Sequence, residues 1–254
     1  MKKLLYLTSL FAALVMVQTS KVNAQQNTYP VLLELFSSEG CESCPYADEF
    51  MQEVMALADS SNSPVFVIDY HVDIWNRSGW YDSSSTPEFS KRQTDYMKKV
   101  GQAAMFTPML YINGQYGVPA TNKKFVGQAI FKELVTEPKL SLSINAAMLN
   151  NGRGLSVSYN LSKKIDSVKV VLVLTKRQLK RNITAGENKG KILTHHNVAE
   201  FMYEIPITSD YSGLFQIPVD PNMDLSDYQL VGFVQQVNSW RVLAIDQIYF
   251  KSKE

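Results

Sequence analysis

The sequence predicts an α/β unit followed by an all-β, sandwich-like unit, and three observations carry that expectation. Two short apolar runs, residues 31–36 and 65–70, bracket a stretch with helical periodicity, a strand–helix–strand pattern. Beyond Pro138 the pattern changes to apolar–polar alternation broken by turn residues. The chain of 254 residues is also long enough to build two cores.

The chain opens on a leader. Lys2 and Lys3 precede an uncharged apolar run over residues 4–17, and Val22-Asn23-Ala24 places small residues at a cleavage-site spacing. That run is about 14 residues, shorter than the roughly 20 a spanning helix needs, so residues 1–24 read as a removable export signal. No cysteine stands at the cleavage region to carry a lipid. The expected location is periplasmic or secreted, in a bacterium, with no transmembrane anchor after cleavage. Cleavage removes three lysines and no acid, moving the formal charge from +1 to −2. A near-neutral chain with dispersed Lys and Arg gives no electrostatic case for nucleic acid or an anionic membrane surface.

The first strand, residues 31–36, contains one acid, Glu34, and ends in the turn Ser37-Ser38-Glu39-Gly40. The helix that follows places Phe50, Val54, Leu57 and Ala58 on one face, with Pro45 in its first turn, where a missing N–H is tolerated. Residues 59–64 are a breaker cluster, and residues 65–70 form the second strand, parallel to the first through a right-handed crossover. An aromatic insertion with Trp75, Trp80 and Tyr81 precedes a helix over residues 88–100. Thr107-Pro108 then leads into a strand at 109–112, and Asn113-Gly114 signals a hairpin. A last helix over 123–135 is broken at Thr136-Glu137-Pro138, which sets the expected domains at 28–137 and 138–254. Seven strand-like segments fill the second domain, at 140–144, 155–159, 168–174, 200–207, 214–219, 230–237 and 242–250, which predicts the sandwich.

Chemistry concentrates at Cys41-Glu42-Ser43-Cys44, the two cysteines of the chain, between the first strand and its helix. A strand, a two-cysteine turn and a helix in that order make the first domain thioredoxin-like in expectation. Near a helix N-terminus the free N–H groups stabilise a thiolate, so Cys41 reads as the attacking sulfur and Cys44 as the resolving one. A structural disulfide fits the spacing poorly, because a two-residue spacer closes almost no loop. Zinc lacks a second cysteine pair, whereas a copper site of Cys41, Cys44 and His71 remains open as a metal-carrier alternative. Pro108, preceded by Thr107, suits a cis bond that leaves backbone free for an incoming chain. Glu34 is a candidate proton acceptor for Cys44. Trp75 and Trp80 are candidates for a peptide-binding surface. His71 and Asp73 fall on one strand face, a pair suited to hydrogen bonding or to a metal, whereas His195 and His196 point to opposite faces and do not readily share one ion.

The stretch from Glu34 through Gly40-Cys41-Glu42-Ser43-Cys44-Pro45 to Asp48 resembles the opening motif of a family of uncharacterised, secreted, thioredoxin-like bacterial proteins. That family is known as a domain of unknown function. His71-Val72-Asp73-Ile74-Trp75, Gly79-Trp80, Arg92-Gln93, Phe106-Thr107-Pro108, Gly186-Glu187-Asn188 and Leu193-Thr194-His195-His196-Asn197-Val198 resemble its later motifs. The resemblance implies a thioredoxin-like fold and an exported location, and it supplies no substrate. The functional expectation is a thiol–disulfide oxidoreductase acting on protein thiols or disulfides and needing no cofactor. Its alternative is a binding protein, either the copper carrier or a surface-interaction module with a permanent disulfide. The sequence specifies no oligomeric state.

Overall fold

The computed structural model describes residues 28–149, 153–207 and 211–251. The leader expected at residues 1–24 lies outside the described residues. Strand β1 (Val31–Ser37) is followed by helix α1 (Cys44–Ser61) and strand β2 (Val65–His71), and the two strands pair in parallel. Helix α2 (Pro87–Val100) begins at Thr86, whose hydroxyl accepts from Phe89 N at 3.2 Å, and stops at Gly101 in the left-handed region, φ 72°. Strands β3 (Met109–Ile112) and β4 (Tyr116–Pro119) form the hairpin at Asn113-Gly114, both with positive φ. Helix α3 (Lys123–Leu134) closes this part.

The remaining strands are β5 (Leu142–Met148), β6 (Gly154–Leu161), β7 (Val168–Asn182), β8 (Ile192–Ile207), β9 (Ser212–Pro218), β10 (Tyr228–Gln236) and β11 (Val242–Tyr249). The expected thioredoxin-like α/β domain followed by a separate sandwich does not form. The fold is mostly β, with one mixed eight-stranded sheet in the order β11-β10-β7-β8-β2-β1-β3-β4 and a three-stranded sheet of β5, β6 and β9. The joint is β8, which pairs in parallel with β2 at Val198 opposite Asp69. A buried run such as β2 reveals that it is covered but not which strand lies along each edge, so this joint leaves no local signature.

Alternation along the strands sorts the large sheet into two faces. On one face Leu32, Phe36, Ile68, Tyr70, Val171, Val173 and Phe233 pack with Phe89 and Tyr96 of α2. On the other, Val31, Leu33, Leu35 and Val67 meet Ala47, Phe50 and Met51 of α1 and Val126 and Ala129 of α3. Farther along, the three-stranded sheet covers Val170, Leu172, Leu174 and Leu230. Asp69 and His71 share the parity of Val67, so they point toward α1 at the carboxyl end of β2.

Candidate functional site

The turn between β1 and α1 holds a disulfide joining Cys41 and Cys44. Cys41 N donates to Ser38 O at 3.1 Å, and Cys44 N to Cys41 O at 3.3 Å. Cys44 is the first residue of α1, and Cys41 lies in the turn ahead of it. Among the described residues no side chain caps that helix start and its first turn carries no acid, so the helix dipole at the cysteine turn is offset only by the bonds of Cys44 N to Cys41 O and of Glu42 N to Glu187.

Both cysteines are buried, Cys41 2% and Cys44 1% exposed, and the turn linking β7 to β8 is bonded to the backbone around Cys41. Asn188 of that turn donates its side-chain amide to Glu39 O and Cys41 O, both at 2.9 Å. Glu187 accepts from Glu42 N at 3.0 Å. Gly186 approaches Trp80, where a β-carbon would fall 3.0 Å from Trp80 Cβ. On the other flank Trp75 packs on Gly40, and its indole N–H donates to Thr107 Oγ1 at 2.7 Å. The Thr107–Pro108 bond is cis.

Behind the cysteines lies a buried polar cluster on the α1 face of the sheet. His71 sits between two carboxylates, its Nδ1 2.8 Å from Asp82 Oδ2 and its Nε2 3.1 Å from Asp69 Oδ2. Burial opposes a charge on His71, but the two carboxylates outweigh it and raise its pKa well above the usual histidine range. Burial would likewise raise Asp82, yet His71 and the backbone N–H groups of Glu39 and Ser84 pull it down to about 2. Asp69 accepts from Ser37 Oγ at 2.6 Å. His195, from β8, stands edge-on to His71 with ring centres 4.7 Å apart. Its Nδ1 is 2.9 Å from Asp48 Oδ2, and its Nε2 is 3.9 Å from Glu39 Oε1. Burial raises Asp48 to about 6 despite His195, and burial with the nearby Asp82 raises Glu39.

Residues 32–235 match the family described as Protein of unknown function (DUF1223). The chain belongs to this family. No curated protein matches the sequence significantly. Among solved structures, the fold is similar to the crystal structure of a protein from Agrobacterium tumefaciens, with a TM-score of 0.69 and 19% identity over 89% of this chain and 97% of that one. It is also similar to HBP35 of Porphyromonas gingivalis, with a TM-score of 0.59 and 14% identity over 88% of this chain and 76% of that one. At such identities the likeness speaks for the fold alone.

In this DUF1223 chain the residues singled out from sequence divide into two groups. Cys41, Cys44, Trp75, Trp80, Thr107 and Pro108 gather around the cysteine turn. Trp80 is tied inward rather than offered to a partner, since its indole N–H donates to Glu39 Oε2 at 2.7 Å. Glu34 is not at the site. It shares the parity of Leu32 and Phe36, so the sheet separates it from α1 and Cys44. There it is ion-paired to Arg92 at 2.5 Å and accepts a hydrogen bond from Tyr96. His71 bonds Asp69 and Asp82 rather than Asp73, whose carboxylate is taken by Ser90 Oγ at 2.5 Å. With its nitrogens facing those carboxylates and the sulfurs bonded to each other, the copper set Cys41, Cys44 and His71 is not assembled. Sequence reasoning missed Asp48, although it lies four residues past Cys44 on the same helix face. It assigned no role to Glu39, two residues before Cys41, or to Asn188, and it missed Asp82; long-range packing brings Asp82 and Asn188 in.

Among the described residues no helix is long and apolar enough to cross a membrane.

Proposed function

We propose that this protein is an exported thiol–disulfide exchange protein acting on protein partners, with Cys41 as the sulfur that trades with the partner and Cys44 as the resolving sulfur. The observation that carries this reading is the pairing of the two sulfurs at an uncapped helix start, flanked by Trp75 and Thr107. In the oxidised form a partner thiolate attacks Cys41 Sγ, forms a mixed disulfide, and expels Cys44 as thiolate at the first residue of α1. The helix N-terminus stabilises that leaving group. A second partner thiolate then attacks the partner sulfur of the mixed disulfide and expels Cys41. The partner leaves as a disulfide, and two electrons have passed to the Cys41–Cys44 pair, whose thiolates take up two protons. The reverse sequence, begun by the Cys41 thiolate, reduces a partner disulfide. An exported location rests on the leader at residues 1–24.

A Cys44→Ala variant expressed with its leader should accumulate mixed disulfides at Cys41, resolved as reducible higher-mass bands whose partners are identified by mass. Absence of any such adduct, in a variant that folds and is exported, contradicts the proposal. One observation favours a second reading, a surface-interaction module with a permanent disulfide: both sulfurs are buried and Asn188 ties the β7–β8 turn to the backbone of Cys41. On the exchange reading, the turn 183–191 must lift before a partner reaches Cys41.

A further inference from the structure

The cluster behind the cysteines brings four buried carboxylates, Glu39, Asp48, Asp69 and Asp82, against two buried imidazoles. Arg181 reaches it from the rim, its Nε 3.4 Å from Glu39 Oε1. Such a concentration of carboxylate in a low-dielectric interior demands a compensating cation or protons. Two features point to a cation. One donor atom from each of Asp69, His71 and His195 lies within 4.8 Å of the others. And although His195 is 1% exposed and its Nδ1 faces Asp48, its Nε2 has no hydrogen-bond partner among the described residues and stands 3.9 Å from Glu39 Oε1. Buried polar atoms left in this state call for a partner.

We propose that Asp69, His71 and His195 bind one first-row divalent cation of the zinc class. Two imidazoles and a carboxylate are a donor set that suits such an ion. His71 Nε2 and Asp69 Oδ2 stand 3.1 Å apart, close to the edge of roughly 3.3 Å of a tetrahedron with bonds of about 2.0–2.1 Å. The cation takes the place of the proton between His71 Nε2 and Asp69. His71 Nδ1–H then donates to Asp82, the carboxylate–histidine–metal arrangement that fixes a ligand's tautomer and ring plane. Asp48 is placed to do the same at His195 Nδ1. The site adjoins the cysteines through Glu39, whose carbonyl shares the Asn188 amide with Cys41, but it uses neither sulfur.

The test incubates the purified leader-cleaved protein with excess zinc, dialyses it against metal-free buffer at neutral pH and measures zinc by elemental analysis. The site predicts about one zinc retained per chain. A His195→Gln variant should lose it, whereas His196→Gln and the Cys41→Ser/Cys44→Ser double variant should keep it. Cobalt loaded in zinc's place should give visible d–d bands without a thiolate charge-transfer band, a readout on the unmutated chain. Retention below about one tenth of an ion per wild-type chain, equal retention by a folded His195→Gln variant, or loss with the cysteines would overturn the proposal. The double cysteine variant separates this inference from the exchange reading, since it abolishes exchange and leaves the metal.

Discussion

Replacing Asn188 by alanine should open the cysteine turn. The side-chain amide makes two buried hydrogen bonds at 2.9 Å, to Glu39 O and Cys41 O, and these tie the β7–β8 turn to the backbone around Cys41. A buried hydrogen bond contributes about 1 kcal/mol net, so the pair stabilises the closed turn by roughly 2 kcal/mol. If a small thiol reaches Cys41 only through the open state, reduction should accelerate by that factor, about 30-fold, since each 1.4 kcal/mol is tenfold. The assay is pseudo-first-order reduction by dithiothreitol, quenched by alkylation and read by mass, for wild type and variant under native conditions. The same pair compared in denaturant should show no difference, which isolates the effect to the folded cover. A folded Asn188→Ala protein reduced within about twofold of the wild-type rate would refute the idea that this turn controls access.

Glu34→Gln should destabilise the fold by about 3 kcal/mol, because Arg92 would keep a buried charge paired only to the half-exposed Glu204. The same substitution should leave the rate of disulfide reduction unchanged, since the sheet stands between Glu34 and the cysteines; urea melts and the reduction assay check the two halves separately. Gly114→Ala should cost more than 1 kcal/mol in a urea melt, because φ is +67° and the added Cβ would fall 2.0 Å from Trp240 O. Glu187→Ala removes one solvent-exposed hydrogen bond to Glu42 N and should accelerate reduction less than Asn188→Ala does, by a few-fold at most.

The parts of the fold that were legible are those whose signal is local. β1, α1, β2 and the Asn113-Gly114 hairpin each carry their own periodicity or turn chemistry, and they stand close to where the pattern put them. The far half of the β7–β8 hairpin was not legible. Thr175–Asn182 and Ile192–Ala199 are rich in polar residues, and a register shift interrupts the ladder after Leu174, so no clean alternation announces them. That half crosses to β2 and carries His195 and the turn with Asn188, so the feature that joined the sheets also built the site. The histidine pair shows the same limit. Adjacent strand positions face opposite sides, and His195 is indeed buried while His196 is half-buried, but nothing in its neighbours in sequence reveals that His195 meets Asp48 and His71. Glu34 was recognisable as an acid in a buried strand, yet its partner Arg92 stands 58 residues away. Only the parity of β1 against α1 decides which face it serves.

The most direct test of the exchange reading is a redox titration of the leader-cleaved protein in glutathione and dithiothreitol buffers, with the state of Cys41 and Cys44 read by alkylation and mass. A thiol–disulfide exchange protein should show a reversible two-electron midpoint within the range of exchange catalysts, about −120 to −270 mV. A disulfide that stays closed far below about −300 mV would contradict it and mark the Cys41–Cys44 bond as structural.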